Sequence, residues 1–172
     1  MEDEARRRAD DQQLQALTRL AAGLLEQALA CSERADIAFE FSDGSRPLRG
    51  HSSVLCAVCE EYVGLFRSGM MEEGVVRVPP GISVASFRWF LEFLYLGRRD
   101  EPGTHGTAGV DGRELVVLSE MYDVEGLREC ILEYGITAEN VCAAVEFALV
   151  PEGDRRDILE ACRMRIQSTI QG

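Results

Sequence analysis

Imidazole is scarce in this chain: His51 and His105 are its two histidines. No apolar run approaches the ~18 residues that suggest a membrane span. The longest candidate, Val84–Leu96, is interrupted by Arg88 and Glu92. The opening residues, Met1-Glu2-Asp3-Glu4, lack the apolar stretch of a secretory leader. Positive charge is short as well. Against 30 acidic residues stand 18 basic ones, a formal net charge of −12, and the basic residues cluster only at Arg6–Arg8 and Arg98–Arg99, with no aromatics between them. Neutralising a phosphate backbone needs a basic patch, so nucleic-acid binding is not expected, and neither is a membrane partner. With no export route read, the six cysteines (Cys31, Cys56, Cys59, Cys130, Cys142 and Cys162) are expected as reduced thiols in a cytoplasmic or nuclear setting.

These shortages narrow the chemistry. His105 falls in a glycine-rich stretch, and His51 falls where a helix is expected to begin, a place for a structural hydrogen bond. A nucleophile at Cys56 or Cys59 would need an orienting group and an oxyanion site, and no motif supplies either. Cys56-x-x-Cys59 offers two metal ligands where a tetrahedral site needs four. At helical spacing the two thiols would sit one turn apart, where small apolar side chains pack. No catalytic group, metal or cofactor is therefore expected, and the chain reads as a non-enzyme. Its 46% hydrophobic and 28% charged content suits a folded unit with a full core.

What is present divides by period. Leu14, Leu17, Ala21, Leu24, Ala28 and Cys31 follow the spacing of one helical stripe, in a segment with no proline. The stripe is read as docking on its own domain, with a partner helix as the alternative, since it is short for a coiled coil. Ile37, Phe39 and Phe41 then alternate with Ala38 and Glu40, the pattern of a strand with one buried face. Asp43-Gly44 supplies a turn and Arg46–Arg49 a short return strand. Helical spacing resumes from His51 through Val54, Leu55 and Val58 to Tyr62, Leu65 and Phe66, with Gly69 as the stop. Val75–Val78 is a short strand ended by Pro79-Pro80. Ser83 is the expected N-cap of a helix carrying Val84, Phe87, Phe90, Leu91 and Leu94 on one face and ending at Gly97. Residues 98–112 read as a surface loop, without the Gly-Lys-Ser/Thr of a phosphate cradle. Helices follow near Arg113–Met121, Val124–Tyr134, from Thr137 to Val150, and Asp154–Ile170, the last with Ile158, Leu159, Cys162, Ile166 and Ile170 on one stripe. Early strands followed by many helices indicate an α+β fold, a small sheet covered by helices.

The order of these pieces resembles the BTB/POZ family. Ala35-Asp36-Ile37-Ala38-Phe39 is similar to its opening strand, and His51-Ser52-Ser53-Val54-Leu55 to the start of its first conserved helix. Tyr62 through Phe66, with Ser68-Gly69-Met70 and Glu72, resembles the next helix and its turn. Phe87, Phe90-Leu91, Phe93-Leu94-Tyr95 and Gly97 resemble its "Phe…Leu…Tyr-x-Gly" helix. Leu115, Leu118, Tyr122, Val124 and Gly126-Leu127 are similar to the end of the fold, and Ile136-Thr137-Ala138-Glu139-Asn140-Val141 to the opening of a BACK-type, 3-box-like helical pair. The resemblance covers roughly residues 35–170. Beside the amphipathic helix read from spacing over 1–33, it implies a BTB/POZ domain over 34–135 with a glycine-rich insertion at 97–112, and a partial BACK segment over 136–172.

That resemblance also implies a function: a protein-interaction adaptor that docks on cullin-3 and recruits a substrate protein for ubiquitination. Met70, Glu72 and Glu73 would carry the cullin contact, the thioether filling a pocket and a carboxylate sitting at its rim. Asp36, His51, Phe66 and Tyr95 stand at the family's structural and interface positions. A homodimer is expected as well, because Leu14, Leu17 and Leu24, with Ile37 and Phe39 of the first strand, offer apolar surface beyond one core. The alternative is a homo-oligomerisation scaffold without cullin binding; a monomeric linker between a cullin and a separate receptor is a third reading. Ser52 stands where corepressor-recruiting relatives carry a basic partner for the opening Asp, which argues against a zinc-finger-type repressor. The substrate is unknown.

Overall fold

The computed structural model describes residues 2–68, 74–97, 109–124, 126–136, 140–149 and 155–171. A long helix α1 (Glu2–Ala30) leads into strand β1 (Ile37–Glu40), strand β2 (Leu48–Gly50) and helices α2 (Ser52–Val58) and α3 (Glu60–Arg67). Strand β3 (Val75–Arg77) and helices α4 (Val84–Leu96), α5 (Gly112–Met121) and α6 (Leu127–Cys130) follow. A π-helical turn (Ile131–Gly135) then precedes α7 (Val141–Ala148) and α8 (Arg156–Gln171). This is the expected α+β architecture, a three-stranded sheet covered by helices.

The sheet order is β2-β1-β3. Strand β1 pairs with β2 antiparallel, Ala38 opposite Arg49, and with β3 parallel, Phe39 opposite Val76. A parallel pair needs a crossover, and α2 and α3 form it. The first residue of the return is constrained. Gly74 has φ +77°, its carbonyl accepts the Ala38 N–H at 2.8 Å, and a Cβ there would lie 2.5 Å from the Asp36 carbonyl oxygen. Gly74→Ala should therefore destabilise the fold by about 1–3 kcal/mol, from left-handed strain and a backbone clash, read as a lower midpoint in a urea melt at unchanged slope. A midpoint within error of wild type would show that β3 docks in another way.

Alternation along β1 has the expected result. Ile37, Phe39 and Phe41 are buried, and Phe39 meets Phe87 of α4 at 4.9 Å between ring centres. Phe87 touches Phe90, which meets Tyr122 at 4.8 Å, and Tyr122 stacks on Tyr62 at 5.3 Å. Such tilted and offset pairs add to the area they bury. Helix α4 lies in the middle of this core. Sequence spacing marks one apolar face, yet Trp89, Phe93 and Tyr95 are buried as well, as in a helix packed on most of its circumference. Ser83 caps it as expected, accepting the Ser86 N–H, and Gly97 closes it.

Several boundaries differ from the expectation. The return strand is Leu48–Gly50 rather than Arg46–Arg49, because the Asp43 carboxylate accepts the Ser45 amide and hydroxyl in a local turn that delays pairing. Gly112, read as loop, is the first residue of α5. It is buried, and an added Cβ would lie 3.0 Å from Ala144 Cβ, so α5 and α7 meet at a glycine. The helix expected from Val124 starts at Leu127 and continues as the π-turn. The stripe of α8 is half used: Ile158 and Cys162 are buried, whereas Ile166 and Ile170 are exposed. Gly69, His105 and residues 98–108, 137–139 and 150–154 lie outside the described residues. No described helix is long and apolar enough to cross a membrane.

The largest correction concerns α1. Docking on the domain holds only for its C-terminal end, where Ala28 and Leu29 pack against the core. Upstream, Leu14, Leu17 and Leu24 are 65%, 56% and 59% exposed, and Leu20 is exposed too.

Candidate docking surfaces

The residues read as family positions are built into one frame. His51 precedes α2, and its backbone N–H donates to the Tyr95 hydroxyl at 2.8 Å; its ring Nδ1 lies 2.8 Å from the same oxygen. The hydroxyl accepts the amide, and the tautomer of His51 sets which partner donates in the contact with the ring. Burial pushes the Tyr95 hydroxyl above its ordinary pKa, so it stays neutral. The bond ties the start of α2 to the last turn of α4. Tyr95→Phe leaves the His51 amide without its partner and should cost about 1–2 kcal/mol, measured as a lowered melting midpoint with far-UV signal unchanged. A stability equal to wild type would remove this bond from the account.

Asp36 lies just before β1, and it has a partner. The Ser52 amide donates to one carboxylate oxygen at 2.8 Å and the Ser52 hydroxyl donates to the other. Partial burial raises the Asp36 carboxyl, but the two Ser52 bonds, with help from nearby groups, outweigh it and hold the pKa below its ordinary value. Its small stabilising contribution is therefore present above the unfolded-chain pKa of about 3.9 and is lost as pH falls through the lower folded value. The sequence places no basic residue opposite Asp36. The structure fills that role with a hydroxyl.

Phe66 sits on α3, half-buried, its ring stacked on Tyr62 at 5.8 Å. The helix ends one residue later, at Arg67. Met70, Glu72 and Glu73 themselves lie outside the described residues. Val58, read as core, is 40% exposed on the open face of α2 and α3, because Cys59 interrupts the helix with an extended conformation. Cys56 and Cys59 are therefore not one turn apart on a continuous helix. Cys59 is buried, and its thiol donates to the Glu61 carboxylate at 3.1 Å. Burial first, then the Glu61 bond, pushes its pKa up to about 11, so on the order of one molecule in 10⁴ carries the thiolate at pH 7. Among the described residues no group of three or more His, Cys, Asp or Glu comes together as a metal site.

Two candidate dimer residues are corrected. Ile37 and Phe39 are 1% and 0% exposed, filling the chain's own core under α4, and present nothing to a partner. Leu14, Leu17 and Leu24 remain available.

The C-terminal pair is fastened to the rest. Asn140 is buried and its amide nitrogen donates to the Val110 and Gly135 carbonyls. Arg155 makes a two-nitrogen clasp on Glu120 and lies 3.9 Å from the centre of the Phe147 ring. Arg128 clasps Asp157, and Arg165 donates to the carbonyls of Ile136 and Glu133. On the outer side, Leu132, Ala161 and Met164 line an open groove of about 480 Å³, and Leu149, Met164, Ile166 and Ile170 are exposed. Sequence spacing did not single out Leu132, Met164 or Leu149. Met164, an apolar side chain between Arg163 and Arg165, is a signal that could have.

No family model matches the chain, and no curated protein matches it. Among solved structures it is similar to the BTB domain of zebrafish PATZ1, with a TM-score of 0.47 and 20% identity over 69% of this chain and 89% of that chain.

Proposed function

We propose that the chain is a BTB/POZ-type interaction module, without catalytic chemistry of its own, that docks on cullin-3 and presents a second protein for ubiquitination. The observation that carries this reading is convergence. Residues far apart in sequence that match the family's motifs meet in one frame: His51 on Tyr95, and Tyr62 on Tyr122. Motifs matched by chance have no reason to touch. Further support comes from where apolar surface is left over, on α1 and on the outer side of α8, which suits assembly. The buried, protonated Cys59 and the hydrogen-bonded His51 suit a structural role rather than a nucleophile and base. An adaptor of this kind accelerates transfer by holding target and ligase together.

Purified protein incubated with cullin-3, with its mass measured in parallel, separates the readings. Capture of cullin-3 by a dimer is the expected result. A dimer that captures none supports the scaffold alternative, and a monomer that captures cullin-3 supports the linker.

A further inference from the structure

The 18 basic side chains of this protein are all arginine; its 172 residues contain no lysine. At some positions the guanidinium's shape accounts for the choice. Arg128 and Arg155 hold carboxylates with two nitrogens, and Arg165 reaches two carbonyls at once, forks that an ammonium cannot form. That account does not extend to Arg34, Arg46 or Arg77. These are exposed, and among the described residues their side chains make no hydrogen bond, ion pair or ring contact. Lysine would serve there equally well for charge and solubility.

What lysine has and arginine lacks is a nucleophilic amine. An ε-amine loses its proton at accessible pH, whereas a guanidinium does not. Ubiquitin transfer uses that difference. The neutral amine attacks the carbonyl of the thioester that joins ubiquitin's C-terminus to the conjugating enzyme's cysteine. The amide C–N bond forms, the C–S bond breaks, the cysteine leaves as thiolate and the amine's proton passes to solvent.

We infer that this chain is built to be a non-substrate within its own ligase: it holds a target beside activated ubiquitin while offering no ε-amine, so transfer is directed to the target. The inference rests on the cullin-3 reading above. An adaptor stays next to the ubiquitin donor for as long as it is bound, at an effective concentration in the millimolar range. One exposed lysine would therefore compete with the target at every turnover.

The test is a reconstituted reaction of the intact protein with cullin-3, its RING subunit, activating and conjugating enzymes, ubiquitin and ATP. Wild type is expected to stay unmodified, while at least one of Arg34→Lys, Arg46→Lys and Arg77→Lys gains ubiquitin mapped to the new lysine. That gain should be at least about tenfold over wild type, given the tethered acceptor. Co-precipitation of cullin-3 is read in the same tubes. Wild type modified as strongly as the variants, through a terminal amine, hydroxyl or thiol, overturns the inference. So do three lysine variants that retain cullin-3 and all remain unmodified. Loss of cullin-3 from every tube, wild type included, instead overturns the ligase reading, and the inference with it.

Discussion

Replacing Leu17 and Leu24 together by glutamate is expected to turn a dimer into a monomer while the protomer stays folded. Both side chains are more than half exposed on α1, upstream of the packed Ala28 and Leu29. They have little of the chain's own core to lose, so the melting midpoint should move by no more than about 0.5 kcal/mol equivalent. In a two-fold interface the same leucines would meet their copies. Burying charge there should weaken self-association by at least about a hundredfold, near 2.7 kcal/mol. Light scattering across micromolar concentrations reads the mass, and a dichroism melt reads the fold. A variant that remains dimeric moves the interface off this stripe, and a wild type that is monomeric throughout removes the dimer.

Met70→Ala should reduce affinity for cullin-3 by about 1–3 kcal/mol, the range of a hot-spot truncation. Glu72→Ala should cost less, and its effect should shrink with added salt, as expected for a contact at a wet rim. The C-terminal pair should add to the same affinity. Truncating it is a poor test, because Asn140 and Ala144 cover α5 and removal would uncover the core. Met164→Ser combined with Ile166→Ser alters only exposed positions. It should loosen binding severalfold with the melt unchanged. Equal affinity of both variants and wild type would detach these surfaces from the cullin.

The parts of the fold legible in sequence were those governed by local period and punctuation. Strand β1 alternates cleanly because one of its faces packs on α4, and Ser83 and Gly97 bracket α4 as caps do. Tertiary context overrode the rest. The spacing at Cys56 and Cys59 is helical, but the chain breaks at Cys59, which turns Val58 outward. Gly112 looks like loop and is a helix crossing point. The stripe on α1 has the right period for docking, but period cannot tell a face that packs on its own domain from one that waits for a partner. At the candidate sites, the order of motifs pointed to Asp36, His51 and Tyr95. That Ser52 would partner Asp36, or that Tyr95 would take both the amide and the ring of His51, depends on how β2, α2 and α4 meet. Ile37 and Phe39 were misplaced for the converse reason: an apolar alternation marks burial without saying against what.

The most direct measurement is a titration of cullin-3 with the intact, lysine-free protein at physiological salt, followed by heat or by fluorescence. Saturable binding is expected, with a dissociation constant in the micromolar range or tighter, about −8 kcal/mol or more favourable. No detectable binding at tens of micromolar, from protein shown to be folded in the same preparation, would contradict it.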